Sequence, residues 1–394
     1  MTDRLDAPWI TAARPLCDIL TKAGHQAWFV GGCVRNALIA EPVSDIDITT
    51  DAHPDRVVAL ATAAGLRTVP TGIDHGTVTV ISDGIPYEVT TLRRDVDTDG
   101  RRATVAFADT IAQDAARRDF TMNALYAEPD GTLADPLGGV ADLRARRVRF
   151  IGDPATRIAE DYLRILRFFR FHALYGDPAG GIDAEGLAAC ADGLDGIGRL
   201  SAERIGAEMA KLLAAPDPAP AMAAMRSCGA LLRVLPGAGT GMLPVLVHVE
   251  QAAGLVPDWR RRLAALGGQD VADRLRLSNA DARHLDLLRE GLGTLTPPAE
   301  LGYRHDTDVA TDILALRAAA FERELDPADV AAARDGADRT FPLAAADLMP
   351  ALEGPALGAA LRRAEADWIA SDFTLTRDDL LTPGQGGDTR RGSE

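Results

Sequence analysis

The chain has 394 residues, 47% hydrophobic and 25% charged, with a formal net charge of −16, a balance that fits a globular protein of two to four domains. No apolar run approaches the roughly 20 residues that span a bilayer, and Met1-Thr2-Asp3-Arg4 opens no signal-peptide pattern. Cys17, Cys33, Cys190 and Cys228 form no close pair, which speaks against a disulfide framework or zinc site and for a reducing cytoplasm.

In chain order, residues 8–24 predict a helix capped by Gly24. Ala27–Val30 predicts a short strand entering Gly31-Gly32, and Val34–Ile39 the start of a helix. Ile46–Thr49 is the next expected strand, and Pro54 starts a helix that runs through Ala64 to Gly65. Thr77–Ile81 and Tyr87–Thr91 alternate as paired strands around Asp83-Gly84, a hairpin signal. Strands mixed with helices over residues 25–150 indicate an α/β or α+β head. From Arg157 onward the pattern is helical, broken at 176–182, 215–219, 236–241 and Pro297-Pro298. The tail Thr382–Glu394 is polar and glycine-rich, as a disordered segment would be.

Three clusters carry chemistry. The first is Phe29-Val30-Gly31-Gly32-Cys33-Val34-Arg35-Asn36, followed by Asp45-Ile46-Asp47. Two glycines let a backbone approach phosphate closely. Two carboxylates one residue apart point to the same side of a strand. Hard oxygen ligands of this kind suit Mg²⁺, which also keeps waters and substrate phosphates as ligands. Glu88, on a neighbouring expected strand, can supply a third catalytic carboxylate. The plain alternative is that Asp45 and Asp47 form a solvated strand edge.

The second cluster is Arg117-Arg118-Asp119-Phe120-Thr121-Met122-Asn123. Arginine forks match phosphate oxygens, and Asn can bond a ribose hydroxyl; a capped amphipathic helix explains the same residues without a ligand. The third runs from Arg157 to Arg170. Ile158, Tyr162, Ile165 and Phe169 form one stripe of a helix, and Arg157, Asp161 and Arg164 line another face. As an exposed ion pair, Asp161 and Arg164 would contribute only a few tenths of a kcal/mol. As a base reader the pair is selective. Cytosine and adenine each offer an exocyclic amine to a carboxylate and ring acceptors to a guanidinium, whereas uracil and guanine oppose both.

These clusters, in this order, resemble the class II tRNA nucleotidyltransferase and poly(A) polymerase family, and bacterial CCA-adding enzymes most closely. The likeness is dense over residues 25–175 and weak beyond. It implies that Asp45 and Asp47 bind the catalytic Mg²⁺ and that Gly31, Gly32, Arg35, Arg117, Asp119 and Asn123 contact the nucleotide. It further implies that Asp161 and Arg164 template incoming CTP and then ATP, with Arg167 near the phosphates. Asn36 departs from the family, which has Asp there. Leu92–Ala116 matches the family's flexible loop by position, and Asp74-His75 falls in a CCA-type run in which His75 is structural.

The resulting expectation is an α+β fold: a nucleotidyltransferase head with a small mixed β-sheet, then all-helical neck, body and tail. The boundaries are 1–150 for the head, 151–215 for the neck with its nucleotide-selecting helix, 216–300 for the body, 301–380 for a tRNA-binding tail and 381–394 for a disordered C-terminus. The expected reaction is template-independent transfer of CMP and AMP from CTP and ATP to the tRNA 3′ end, with release of pyrophosphate. Alternatives are a poly(A) polymerase, a partial CC-adding or A-adding enzyme, and an inactive RNA-binding protein. Net charge −16 is awkward for an RNA partner. Between Val140 and Tyr175, however, lie eight arginines (144, 146, 147, 149, 157, 164, 167 and 170) against four acids. His305-Asp306 lacks the companions of a metal phosphohydrolase, and the stripe Leu343, Leu348, Leu352, Leu357, Leu361, Trp368 predicts ordinary helix core.

Overall fold

The computed structural model describes residues 4–73, 76–99 and 102–382. Asp74, His75 and the tail from residue 383 onward, each given an expectation above, lie outside the described residues. The chain divides into two compact units. One comprises Met1–Thr240, Pro257–Trp259 and Leu266–Ser278; the other comprises Gly241–Val256, Arg260–Ala265 and Asn279–Glu394. No helix among the described residues is long and apolar enough to cross a membrane.

The first unit opens with α1 (Pro8–Lys22), β1 (Ala27–Val30), α2 (Gly32–Leu38), β2 (Asp47–Thr50) and α3 (Pro54–Ala63). Then come β3 (Arg67–Gly72), β4 (Thr77–Ser82), β5 (Ile85–Thr91), β6 (Arg93–Asp99) and β7 (Arg102–Phe107), followed by α4 (Ile111–Ala116), β8 (Tyr126–Ala127) and β9 (Leu133–Ala134). Seven of these strands form one sheet in the order β3-β4-β5-β2-β1-β8-β9. The sheet is mixed, because β2 and β5 run parallel while its other neighbours are antiparallel. The expected hairpin is β4–β5, closed at Asp83-Gly84, with Val78, Val80, Tyr87 and Val89 turned to the core. The segment expected as a flexible loop folds as a separate antiparallel ribbon, β6–β7. β6 is largely charged and gives no apolar periodicity, whereas Ala103, Val105 and Phe107 alternate along β7.

After α5 (Gly139–Arg144) the chain is helical: α6 (Pro154–Glu160), α7 (Leu163–Tyr175), α8 (Ala184–Asp192) and α9 (Ala202–Leu213) lead the series. Phe168 and Phe171 of α7 pack on Phe120 and Phe150, with ring centroids 5.3 Å apart for Phe150–Phe168 and 5.0 Å for Phe120–Phe171. This aromatic cluster fixes α7 against the sheet-bearing part of the unit.

One expectation is corrected here. The helix expected to carry Arg157, Asp161 and Arg164 on one face is two helices. Asp161 leaves the helical region at φ −153°, ψ 104° as the C-cap of α6, and α7 begins at Leu163. The Asp161 carboxylate accepts from the Leu163 amide at 3.1 Å. A side chain that competes for backbone donors in this way ends one helix and starts the next. The ring of Tyr162 fills the space above Gly196, where an added Cβ would lie 1.9 Å from it.

In the second unit, the helix Met242–Ala253 packs on Thr307–Ala320, and Pro298–Arg304 packs on Pro327–Ala337. Buried Glu250 accepts from Arg261 at 2.8 Å and Arg262 at 2.9 Å, so these interior charges are paired. Asp306 caps the helix Thr307–Ala320 through the Val309 amide at 2.8 Å, which gives the His305-Asp306 pair a structural use. The leucine stripe is broken: Leu348 lies in Ala345–Leu348, Leu357, Leu361 and Trp368 in Gly354–Ala370, and Leu343 and Leu352 outside both, with only Leu343 and Trp368 buried. The Leu348, Leu352, Leu357 and Leu361 side chains are half-buried rather than core.

Candidate active site

A cleft of about 510 Å³ opens in the first unit. Its lining holds seven arginines and four acids, a basic hollow on an acidic chain. Asp47, Glu88, Gly31, Gly32, Arg35, Arg117, Asp119, Asn123, Asp161, Arg164 and Arg167 all face it. Asp45 does not line it.

The acidic wall follows from strand register. Asp47 of β2 stands opposite Glu88 of the parallel β5, and registered partners on adjacent strands project from the same face. β2 begins only at Asp47, so Asp45 lies in the preceding loop, exposed and bonded by the Ser44 hydroxyl at 3.0 Å. Burial and the charge of Glu88 push Asp47 up to about 6, with Asp45 adding to the shift. No ion pair holds the Asp47 side chain among the described residues, and a divalent cation would relieve this crowding of negative charge. No group of three or more His, Cys, Asp or Glu among the described residues could by itself hold a metal. Mg²⁺ needs only one or two carboxylates when phosphates and water complete its shell, so the donors present fit that ion.

Opposite lies the Gly31 turn, with φ +75°, a conformation that favours glycine. A Cβ there would come within 3.4 Å of Arg118 Nη1. Arg117 and Arg118 are anchored from behind by Asp114, at 2.8 and 2.9 Å. Burial alone would raise Asp114, but Arg118, Arg117 and the Tyr126 hydroxyl hold it down at about 2. Asp119 is buried and accepts from Asn123 Nδ2 at 2.8 Å and from Arg167 at 2.5 and 2.7 Å. Burial opposes its ionisation, yet Arg167 and these hydrogen bonds keep its carboxyl below the ordinary value. The amide of Asn123 is thus engaged on both sides, since its Oδ1 accepts from Arg35 at 2.5 Å.

Asp161 and Arg164 both face the cleft, but their side chains do not bond each other; only the Arg164 amide donates to the Asp161 carbonyl, at 3.0 Å. Asp161 accepts from Arg204 of α9 at 2.7 Å, while Arg164 pairs with Glu160 and donates to the carbonyls of Arg157 and Arg117 at 2.8 and 3.1 Å. Both side chains are therefore pre-oriented by other partners. The lining also contains Arg93, Arg118, Thr77, Thr90, Phe171 and Arg204, none of them among the sequence candidates. Arg118 stands inside the quoted Arg-Arg-Asp run. Arg204 has no local signal, because it meets Asp161 from 43 residues away.

Residues 27–149 match the model of the poly A polymerase head domain, and residues 181–240 match a probable RNA and SrmB-binding site of polymerase A. The chain is 42% identical over 201 residues to the mitochondrial CCA tRNA nucleotidyltransferase 1 of Mus musculus, covering 51% of this chain and 46% of that protein. It is 42% identical over 206 residues to the CCA-adding enzyme of Anoxybacillus flavithermus, covering 52% and 50%. The matched segment spans about half the length of these relatives. The fold resembles the crystal structure of the Bacillus stearothermophilus CCA-adding enzyme in complex with CTP, with TM-score 0.77 and 27% identity over 93% of this chain and 94% of that one. The Thermotoga maritima CCA-adding enzyme complexed with tRNA shares the fold at TM-score 0.66 and 18% identity over 96% and 95%. Residues 27–149 thus match a poly A polymerase head domain, about half of the chain is similar in sequence to CCA-adding enzymes, and its fold is similar to that of one solved with CTP.

Proposed function

We propose that this protein adds CMP and AMP, from CTP and ATP, to the 3′ end of tRNA without a nucleic-acid template. The observation that carries the reading is the registered Asp47–Glu88 pair facing an arginine-lined cleft, in a fold like that of an enzyme solved with CTP. The tRNA 3′-hydroxyl attacks the α-phosphate, a new phosphodiester forms, and the bond to pyrophosphate breaks. Mg²⁺ held by Asp47 and Asp45, with Glu88 beside them, would supply Lewis-acid stabilisation of the phosphate charge and a lower pKa for the attacking hydroxyl. Gly31 and Gly32 let the backbone approach the phosphates, and Arg35, Arg117 and Arg167 neutralise them. Asp119 holds Arg167, Asn123 holds Arg35 and Asp114 holds Arg117 at the nucleotide's sugar and phosphate side.

Base selection falls to Asp161 and Arg164. With its carboxylate fixed by Arg204, Asp161 accepts from the exocyclic amine of cytosine or adenine, and Arg164 donates to the ring acceptors. In this reading residues 1–150 are the catalytic head, 151–215 the neck, 216–300 the body and 301–380 the tRNA-binding tail, working in the cytoplasm.

The test offers each nucleoside triphosphate separately, with Mg²⁺, to tRNAs lacking the last three, two or one nucleotides. CTP incorporation on the first two and ATP incorporation on the third support the reading. Incorporation of ATP alone on every substrate would replace it with a poly(A) polymerase, and no incorporation would leave an RNA-binding protein.

A further inference from the structure

Arg35 is unlike five of the other cleft arginines. Arg117, Arg118, Arg164, Arg167 and Arg204 each direct their charge to a carboxylate. Arg35 is 7% exposed, and among the described residues it has no ion pair. Its donors go to neutral acceptors instead. Nε and Nη2 reach Asn36 Oδ1 at 3.1 and 2.9 Å, Nη2 reaches the Tyr175 hydroxyl at 2.7 Å, and Nη1 reaches Asn123 Oδ1 at 2.5 Å. The guanidinium also lies 4.1 Å from the centroid of the Tyr175 ring and 5.3 Å from that of Phe171. A buried cation left without a carboxylate is costly, and an anion arriving from the cleft removes that cost. Four of its five N–H bonds are already directed, so one on Nη1 remains for such a ligand.

We propose that Tyr175 is a positioning residue for the phosphates of the nucleoside triphosphate: from the end of α7 it holds Arg35, together with Asn36, as a cleft cation without a carboxylate partner. Tyr175 does not line the cleft, so it acts only through Arg35. Asn36 is steadied in turn by donating to the Pro42 carbonyl at 2.8 Å. The contacts make a circuit. Arg167, near the start of α7, holds Asp119, which binds Asn123, which binds Arg35, which returns to Tyr175 at the end of the same helix. The nucleotide-facing residues of the head are thereby set by both ends of α7. This inference rests on the function proposed above.

Tyr175→Phe keeps the ring beneath the guanidinium and removes only the hydroxyl. A single hydrogen bond to a charged group corresponds to roughly tenfold, so KM for both CTP and ATP should rise about that much. kcat should stay within about twofold, KM for tRNA should not move, and the melting temperature should fall by no more than about 4 °C. The second measurement is equilibrium binding of CTP, in which Tyr175→Phe should have no further effect once Arg35→Ala is present. Unchanged KM for the triphosphates, a fall in kcat alone, or additive losses in the double variant would overturn the role of Tyr175. A wild-type protein that takes neither CTP nor ATP would instead overturn the function on which the inference rests.

Discussion

Asp47 and Asp114 show two opposite fates of a carboxylate beside the same cleft. Asp47 meets other acids, and burial with Glu88 raises it to about 6; Asp114 meets two arginines and is held at about 2. Asp47→Ala removes the acid best placed for a metal and should abolish incorporation by about a thousandfold, several kcal/mol of transition-state stabilisation. Normal activity in that variant would refute the assignment. Asp114 has a folded-state value below its ordinary one, so its contribution is fully present above about pH 4 and disappears as pH falls through about 2. That contribution is about 2 kcal/mol, and Asp114→Asn, which also strands Arg117 and Arg118, should cost about 3–5 kcal/mol at neutral pH. The difference from wild type should shrink between pH 4 and pH 2 in denaturant titrations. Asp47 was legible in sequence because its chemistry lies in a two-residue spacing. Asp114 was legible in principle, three and four residues before Arg117 and Arg118, but an acid behind a motif draws less notice than the motif.

At the scale of elements, the central strands were readable wherever apolar and polar residues alternate, as in β4 and β5. The helical segments were readable from their breaks: α7 ends at Tyr175 and α8 begins at Ala184, and the Pro297-Pro298 break coincides with the helix Pro298–Arg304. What escaped was the interruption at Asp161. An apolar stripe through Ile158, Tyr162, Ile165 and Phe169 suits a continuous helix, and nothing local announces that Asp161 will turn its carboxylate onto the Leu163 amide. The interruption leaves one Asp161 oxygen on the Leu163 amide and the other on Arg204 of α9. Asp161→Ala should therefore degrade discrimination of CTP and ATP against UTP and GTP by about tenfold or more, the scale of one charge-assisted hydrogen bond, with tRNA affinity little changed. Competition assays with paired nucleotides read this directly, and a uniform loss of tRNA affinity would contradict it.

Over the whole molecule, charge is sorted rather than balanced. The chain carries −16, yet its cleft is basic, and Arg144, Arg146, Arg147 and Arg149 are exposed nearby in sequence. Arg147 and Arg149 are tethered to buried Asp142 at 3.0 and 2.8 Å, whereas Arg144 and Arg146 have no ion pair among the described residues. Arg144→Glu with Arg146→Glu should weaken tRNA binding several-fold and flatten its salt dependence, leaving KM for the triphosphates unchanged. Whether one protein site chooses cytosine and then adenine and stops is read from product length. A tRNA lacking its last three nucleotides is incubated with CTP, ATP and Mg²⁺ together, and the products are resolved to single nucleotides. The account predicts growth by three nucleotides ending in CCA and then arrest; a ladder of long adenosine tails, or a halt after two cytidines, would contradict it.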